Sequence, residues 1–286
     1  MKTNIILLSL ALGATTLSAQ TLADYANAGD AAMKAGKMQE AIDNYIKAQE
    51  LDKDNTDYLT AFQLGTAYEA VGELQKAGDA YKASIIKGNY DGGVITNMKN
   101  AYEGAGCNDC VKNAYIEIKT ANPAQTIPMD RKLYFIYIKE KNYEEALKCE
   151  MSELNDAALD DDGRIKIYKR VAQLYINVDQ PDSAEVYYDK VLAITPDDAD
   201  VHKALGYGLY NAIQKATKNA QAAYKAKAKP TQHDHNVMKT AEKRATLAYG
   251  PKAIRHLETA NKTLNDKQIS DIIAKLRQNV AAYSNR

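Results

Sequence analysis

The stretch that decides the fold is residues 61–84, AFQLGTAYEAVGELQKAGDAYKAS, in which small residues and tyrosines recur at fixed distances. Gly65 and Ala77 are small enough to let two helices approach closely, and Tyr81 can fill the space between them. Gly72 lies where the first helix must end, because glycine adopts positive φ at little cost. The stretch therefore predicts two antiparallel helices joined by a turn at Gly72.

The same landmarks recur along the chain about every 34 to 38 residues. The first copy contains Tyr25, Gly29, Ala41, Tyr45 and Ala48, the third Tyr102, Gly106, Val111, Tyr115 and Pro123, the fourth Leu133, Tyr137 and Ala146, and the fifth Ala172, Tyr175, Ala184, Tyr188 and Pro196. A single hairpin cannot cover its own apolar faces, so neighbouring copies must stack on one another. We therefore expect an elongated all-α repeat domain without a single central core.

This period and these landmarks resemble the tetratricopeptide repeat family. The family's usual first-helix Trp is absent, since the chain contains no Trp at all. The resemblance implies an all-α fold, an α-solenoid of about six helical hairpins. We assign repeats one to five to residues 20–198, a sixth, extended hairpin to 199–263 and an amphipathic capping helix to 264–286.

The N-terminus has the layout of a secretory signal peptide. Lys2 precedes the apolar run 5–12, and Leu17-Ser18-Ala19 favours cleavage after Ala19. The apolar run is too short to span a bilayer, and no Cys near the cleavage point offers a lipid anchor. The sequence thus predicts an exported bacterial protein. The periplasm is the favoured location, and secretion or association with the outer membrane are the alternatives.

Composition limits the remaining classes. The chain has 286 residues, of which 45% are hydrophobic, so it is folded. Lys plus Arg equal Asp plus Glu at 37 each, and the global charge therefore implies no polyanionic partner.

Three cysteines are present, Cys107, Cys110 and Cys149, so at least one is unpaired. Cys107 and Cys110 could form a disulfide at the start of a second helix if the compartment is oxidising. A redox enzyme would need a βαβ context, and haem attachment would need a His where Val111 stands. Cys149 is expected in the core.

Positive charge concentrates in the extended hairpin: residues 201–263 contain 12 Lys or Arg and 3 acids. We define residues 213–250 as the basic arm; its candidate contact residues are Lys225, Lys227, Lys229, Lys239, Lys243 and Arg244. These could meet a polyanion or a membrane surface, or they could simply keep a helical extension soluble. The arm has few aromatic residues for stacking on bases, so nucleic acid is not favoured. Residues 231–236 are expected to form a polar tip, and Gly250-Pro251 to kink or break the returning helix.

The sequence predicts no catalytic residue, no metal and no cofactor. His233 and His235 flank Asp234, but two His in a turn are an incomplete ligand set. The acidic run 159–163 lacks the spacing of a calcium loop. The chain also lacks the motifs of serine hydrolases, P-loop enzymes and zinc proteases.

In proteins that resemble this chain, the inner wall of the stack, built from the first helix of each hairpin, binds an extended peptide or a partner's helix. Helical phase places on that wall Phe62, Glu69, Asn100, Arg131, Phe135, Lys169, Gln173, Asn177 and Tyr207. The resemblance and these residues predict a non-enzymatic interaction scaffold of the cell envelope with one or more protein partners. The alternative is a module that binds a polyanion or a membrane surface through the basic arm.

Overall fold

The computed structural model describes residues 21–284, and within that range every regular element is a helix. The chain divides into two compact units that meet in sequence after Asn122. Unit 1 contains α1 (Leu22–Lys34), α2 (Met38–Leu51), α3 (Tyr58–Ala70), α4 (Leu74–Ile86), α5 (Gly92–Gly104) and α6 (Asn108–Ala121). Unit 2 begins with a short 3-10 helix (Pro123–Gln125) and contains α7 (Thr126–Lys139), α8 (Tyr143–Glu153), α9 (Asp161–Asn177), α10 (Pro181–Ile194), α11 (Ala199–Lys225), α12 (Gln232–Leu264) and α13 (Lys267–Ser284).

The helices pair into consecutive hairpins, a long hairpin follows near the C-terminus, and a final helix comes after it, so the predicted all-α solenoid class is confirmed. None of the helices in the described chain is long and apolar enough to cross a membrane. The predicted signal peptide, residues 1–19, lies outside the described residues and stays a prediction.

Glycine and tyrosine hold the two helices of a hairpin together. A Cβ atom on Gly65 would lie 2.6 Å from Cδ1 of Tyr81, and one on Gly29 would overlap the ring of Tyr45. Tyr81 is 1% exposed, and its hydroxyl donates a hydrogen bond to Glu69 at 2.6 Å. The tyrosine ring therefore occupies the space that the missing side chain leaves, as the sequence predicted.

The turns between paired helices use a left-handed residue. Gly36, Gly72 and Gly106 have φ of 74°, 78° and 74°, as expected. In the next two hairpins the same place is taken by Lys141 and Asp179, with φ of 58° and 67°. These two residues bear a conformational cost that glycine avoids.

The core of unit 2 joins α9 and α10 to the base of the long hairpin and to α13. It includes the buried residues Leu205, Leu209, Leu257, Ile269 and Leu276. The amphipathic helix predicted to cover the last apolar face is α13, which buries its isoleucines against this core.

The long hairpin differs from the expectation in two details. The predicted polar tip 231–236 is the first turn of α12, since Thr231 and Asp234 form a capping box, and the chain reverses over 226–231 instead. The helix α12 also continues through Pro251 without a break. Gly250 has a packing role: a Cβ there would lie 2.6 Å from Val280 of α13. Contacts with α11 and α13 hold α12 together where proline removes one backbone hydrogen bond.

A buried histidine pair joins the base of the long hairpin. His202 of α11 and His256 of α12 are 9% and 4% exposed, and their Nδ1 atoms are 2.8 Å apart. Nε2 of His202 lies 2.9 Å from the carbonyl oxygen of Pro196, which can only accept, so Nε2 carries the hydrogen. Nε2 of His256 lies 3.2 Å from a guanidinium nitrogen of Arg255, which can only donate, so His256 carries its hydrogen on Nδ1 and donates it to Nδ1 of His202.

The cysteines fall in different environments. The sulfur atoms of Cys107 and Cys110 are bonded at 1.99 Å at the start of α6, and their Cα atoms are 5.3 Å apart. Cys149 is 5% exposed inside unit 2, and its sulfur lies 3.9 Å from Oδ1 of Asp130. The expectation that Cys149 belongs to the core is confirmed.

Candidate partner-binding groove

A groove of about 500 Å³ opens in unit 2 between the first helices of two successive hairpins. It is lined by Tyr134, Ile138 and Lys139 of α7, Lys141 of the following turn, Tyr143 of α8, and Lys169, Arg170, Gln173, Leu174 and Asn177 of α9. The groove thus combines two aromatic rings, two amides and four cations.

Helical periodicity places these side chains together. Tyr134 and Ile138 are one turn apart on α7, and Lys169, Gln173 and Asn177 are spaced by four on α9. The amide nitrogen of Gln173 donates to Oδ1 of Asn177 at 3.3 Å. The two amides therefore form a short polar row along the floor of the groove.

The charge of the groove is positive, because its lining contains no carboxylate. Lys169 donates to Oδ2 of Asp198 at 2.7 Å. Burial would raise the pKa of Asp198, but the hydrogen bonds from Lys169 and the Val201 N–H outweigh it and lower the pKa. Lys139 and Lys141 make no side-chain hydrogen bond or ion pair within the described residues, so their ammonium groups are available to a partner.

Two carboxylates and an aromatic ring hold the Arg170 side chain in position. Its Nε donates to Oε1 of Glu150 at 2.7 Å, a second nitrogen contacts Glu153 at 3.3 Å, and its guanidinium lies 5.6 Å from the ring centre of Tyr134. Burial raises the pKa of Glu150, and Arg170 opposes the rise. The second oxygen of Glu150 has no hydrogen-bond partner in the part of the chain that the structure describes. Arg170 therefore compensates a buried charge as well as lining the groove.

The structure brings together three of the nine wall residues predicted from the sequence, Lys169, Gln173 and Asn177. Arg131 and Phe135 of α7 do not line the groove. Arg131 pairs with Glu153 at 2.7 Å and Asp156 at 3.0 Å, whereas Phe135 is 70% exposed. Tyr207 of α11 is half-buried, and burial raises its pKa.

The other three predicted wall residues belong to unit 1. The ring of Phe62 packs 5.7 Å from that of Tyr81, and Glu69 accepts the Tyr81 hydroxyl. Asn100 on α5 is exposed. Phe62 and Glu69 thus support a hairpin core, and their role in binding stays a prediction.

Sequence reasoning missed Tyr134, Ile138, Lys139, Lys141, Tyr143, Arg170 and Leu174. A groove between two helices is lined by the facing edges of both, whereas the phase argument selected one stripe per helix. The signal was present in the sequence, because Tyr134 and Ile138 lie three residues after Arg131 and Phe135, on the neighbouring stripe of the same helix.

The residues of the basic arm mostly lie in solvent. Lys227 pairs with Asp234, and Lys239 donates to Glu242 at 2.8 Å. The ring of His235 packs edge-on against Tyr224, 5.8 Å between centres. Among the described residues no group of three or more His, Cys, Asp or Glu side chains could hold a metal ion.

Two segments, residues 25–55 and 165–198, match the family model described as tetratricopeptide repeat. No curated protein sequence matches the chain.

Solved structures give similar matches at low identity. A TPR repeats protein from Bacteroides fragilis is 16% identical, with 91% of this chain and 99% of that chain covered and a TM-score of 0.34. The protein MamA is 18% identical over 63% of this chain and 94% of its own, with a TM-score of 0.33. YrrB, described as a TPR protein with an unusual peptide-binding site, is 17% identical over 61% of this chain and 87% of its own, with a TM-score of 0.32.

One matched segment covers α1 and α2 and the other covers α9 and α10, so a complete hairpin in each unit carries the repeat signature. The chain therefore contains tetratricopeptide repeats in these two segments.

Proposed function

We propose that this protein is a non-enzymatic scaffold of the bacterial cell envelope that binds an extended segment or a helix of a protein partner in the groove between α7 and α9. The observation that carries the proposal is the groove itself, about 500 Å³ in volume, with aromatic, amide and cationic side chains side by side. The location in the envelope rests on the N-terminal sequence alone.

Each group in the groove suits a feature of a polypeptide. The amides of Gln173 and Asn177 can donate to and accept from a partner's backbone. Tyr134 and Tyr143 offer apolar surface with a polar end, as is common where proteins bind one another. Lys139 and Lys141 can pair with carboxylates, so we expect a preference for partner segments that contain Asp or Glu.

Site-specific crosslinking tests the proposal. A photo-reactive benzoylphenylalanine replaces Gln173 in the groove, and in a matched control it replaces Gln268, which is exposed on α13. Both proteins are irradiated with the envelope fraction of the source cells. We expect a discrete crosslinked partner from position 173 and not from position 268.

A charge-reversal variant, K139E together with K141E, sharpens the result. It should reduce the crosslink at position 173 at least tenfold while the helical circular dichroism signal is unchanged. The same crosslinked band from both positions, or no band from position 173, would contradict the proposal.

A further inference from the structure

The basic arm concentrates positive charge near the C-terminal end of the described chain. Residues 213–250 contain eight cationic residues, Lys215, Lys218, Lys225, Lys227, Lys229, Lys239, Lys243 and Arg244, and two acids, Asp234 and Glu242. The difference, eight minus two, gives the arm a net charge of +6.

Most of these cations have no opposite charge near them. Within the described residues Lys215 pairs with Asp179, Lys227 with Asp234 and Lys239 with Glu242. Across residues 21–284 the side chains of the remaining five form no hydrogen bond or ion pair; these are Lys218, Lys225, Lys229, Lys243 and Arg244. Other lysines in both units, such as Lys82, Lys87 and Lys252, do have an acid within reach. The local excess of charge is therefore not balanced inside the arm.

The end of the arm projects beyond α13. The helix α13 runs beside the arm as far as Tyr283, whose hydroxyl lies 3.2 Å from Oε2 of Glu242. The ten residues from Glu242 back to Gln232 carry α12 about 15 Å past that contact. Lys225, Lys227 and Lys229 stand at alternate positions where the chain turns. A projecting end of this kind can reach a flat surface.

Apolar atoms accompany the charge. Val237 is 55% exposed beside a slot of about 120 Å³ that is lined by Ala220, Ala223 and Ala241 among others. Cations close to an exposed apolar side chain suit the headgroup region of a bilayer, where both can be accommodated. Tyr224 is half-buried against His235, so the arm offers little for stacking on nucleobases.

The unpaired cations, the projection beyond α13 and the exposed Val237 act together at the end of the arm. We infer from them that the end of the basic arm docks on a membrane surface that contains anionic lipid headgroups. The contact is peripheral and electrostatic. Each lysine near such a surface strengthens binding roughly fivefold, so three lysines together contribute roughly a hundredfold. Salt should weaken the contact strongly, because exposed charges are screened beyond about 10 Å at ordinary ionic strength.

Vesicle cosedimentation tests the inference. The purified protein is mixed with vesicles of phosphatidylcholine alone or of equimolar phosphatidylcholine and phosphatidylglycerol. The arm variant is K218E/K225E/K229E, which breaks no ion pair seen in the structure. The control variant is K132E/K166E/K267E, which changes the net charge equally at exposed positions outside the arm.

We expect the protein to bind the anionic vesicles only, the arm variant, in which three lysines are replaced by acids, to lose at least roughly a hundredfold in affinity, and the control variant to stay within a few-fold. A V237S variant, which keeps the charge, should bind the vesicles roughly threefold less tightly but bind heparin unchanged. Equal losses in the arm and control variants would overturn the inference, since net charge alone would then explain binding. Binding to heparin without binding to anionic vesicles would overturn it in favour of a soluble polyanion.

Discussion

Lys87 and Lys225 both lie at the C-terminal end of a helix, yet their surroundings are opposite. The side chain of Lys87, after α4, is 7% exposed, and its Nζ lies 2.7 Å from Oδ2 of Asp52, which is itself 4% exposed. Lys87 also donates to Gln49. Lys225, at the end of α11, is exposed and has no ion pair in the described range. In the short hairpins a charge is part of the packing, whereas on the arm it is left for solvent or a partner.

The two regions also differ in what separates their helices. In the hairpin of α3 and α4 a tyrosine ring fills the gap opposite a glycine, and the ring is almost fully buried. Along the outer half of the arm the facing residues are mostly alanines, and several of these are exposed. The difference indicates that stability is concentrated in the short hairpins and at the base of the long one, and that the arm's outer half can change charge or side-chain size at little cost.

The largest expected effect comes from removing a buried positive charge. Burial would raise the pKa of Asp52, but hydrogen bonds from Lys87 and from backbone N–H groups lower it, so Asp52 is ionised. Lys87→Met leaves this carboxylate buried without its partner, and we expect a loss of about 3 to 5 kcal/mol in the free energy of unfolding. Urea titration followed by circular dichroism measures it.

Lys225→Met is the matched control, and it should stay within about 0.5 kcal/mol. Similar losses from both substitutions would break the comparison between paired and unpaired lysines.

The second prediction concerns acid, which should destabilise the base of the arm by protonating the buried His256. Burial, followed by the nearby charges of Arg255, His202 and Lys252, lowers the pKa of His256 from 6.5 to about 4. A lowered pKa means that the unfolded chain binds the proton more tightly than the folded chain does. The contribution of His256 to the free energy of unfolding is therefore complete above about pH 6.5 and is lost as the pH falls towards 4. Between pH 7 and pH 4.5 the loss amounts to about 2 to 3 kcal/mol.

The measurement is the free energy of unfolding of the natural protein and of His256→Gln at both pH values. The difference between the two proteins isolates the histidine from the carboxylates, which titrate in both. The variant should lose about 2 to 3 kcal/mol less on acidification. An identical pH dependence in both proteins would show that the fold does not lower the pKa of His256.

The smallest of the three effects concerns helix spacing. Gly65→Ala places a Cβ atom 2.6 Å from the ring of Tyr81, so the two helices must move apart. We expect a loss of about 2 kcal/mol, measured as a lower melting temperature. Ala223→Leu, at an exposed position of the arm, adds more atoms but should change stability by less than about 0.5 kcal/mol. If Ala223→Leu were the more damaging change, the arm would have a packed core of its own.

The fold was predictable because it depends on local spacing. Glycine, alanine and tyrosine positions indicated the hairpins, and the buried Gly65–Tyr81 contact confirms the reason. The turns at Lys141 and Asp179 gave no such signal, since Lys rarely adopts positive φ and Asp adopts it far less readily than glycine does.

The site was only partly predictable. Helical phase found Lys169, Gln173 and Asn177, because these lie on one face of one helix. It did not find Tyr134 or Arg170, because the groove depends on which edges of α7 and α9 face each other, and that is set by how two hairpins pack.

By itself, the sequence determined the helices, the repeat, the glycine contacts and the charge of the arm, since each of these follows from residue type and spacing. Only the tertiary structure decided that two distant histidines share a hydrogen bond, that α12 passes through Pro251 unbroken, and that Arg170 serves both a buried carboxylate and the groove. These features depend on side chains far apart in the chain meeting at short distance, and helical periodicity carries no information about which faces of different helices will meet.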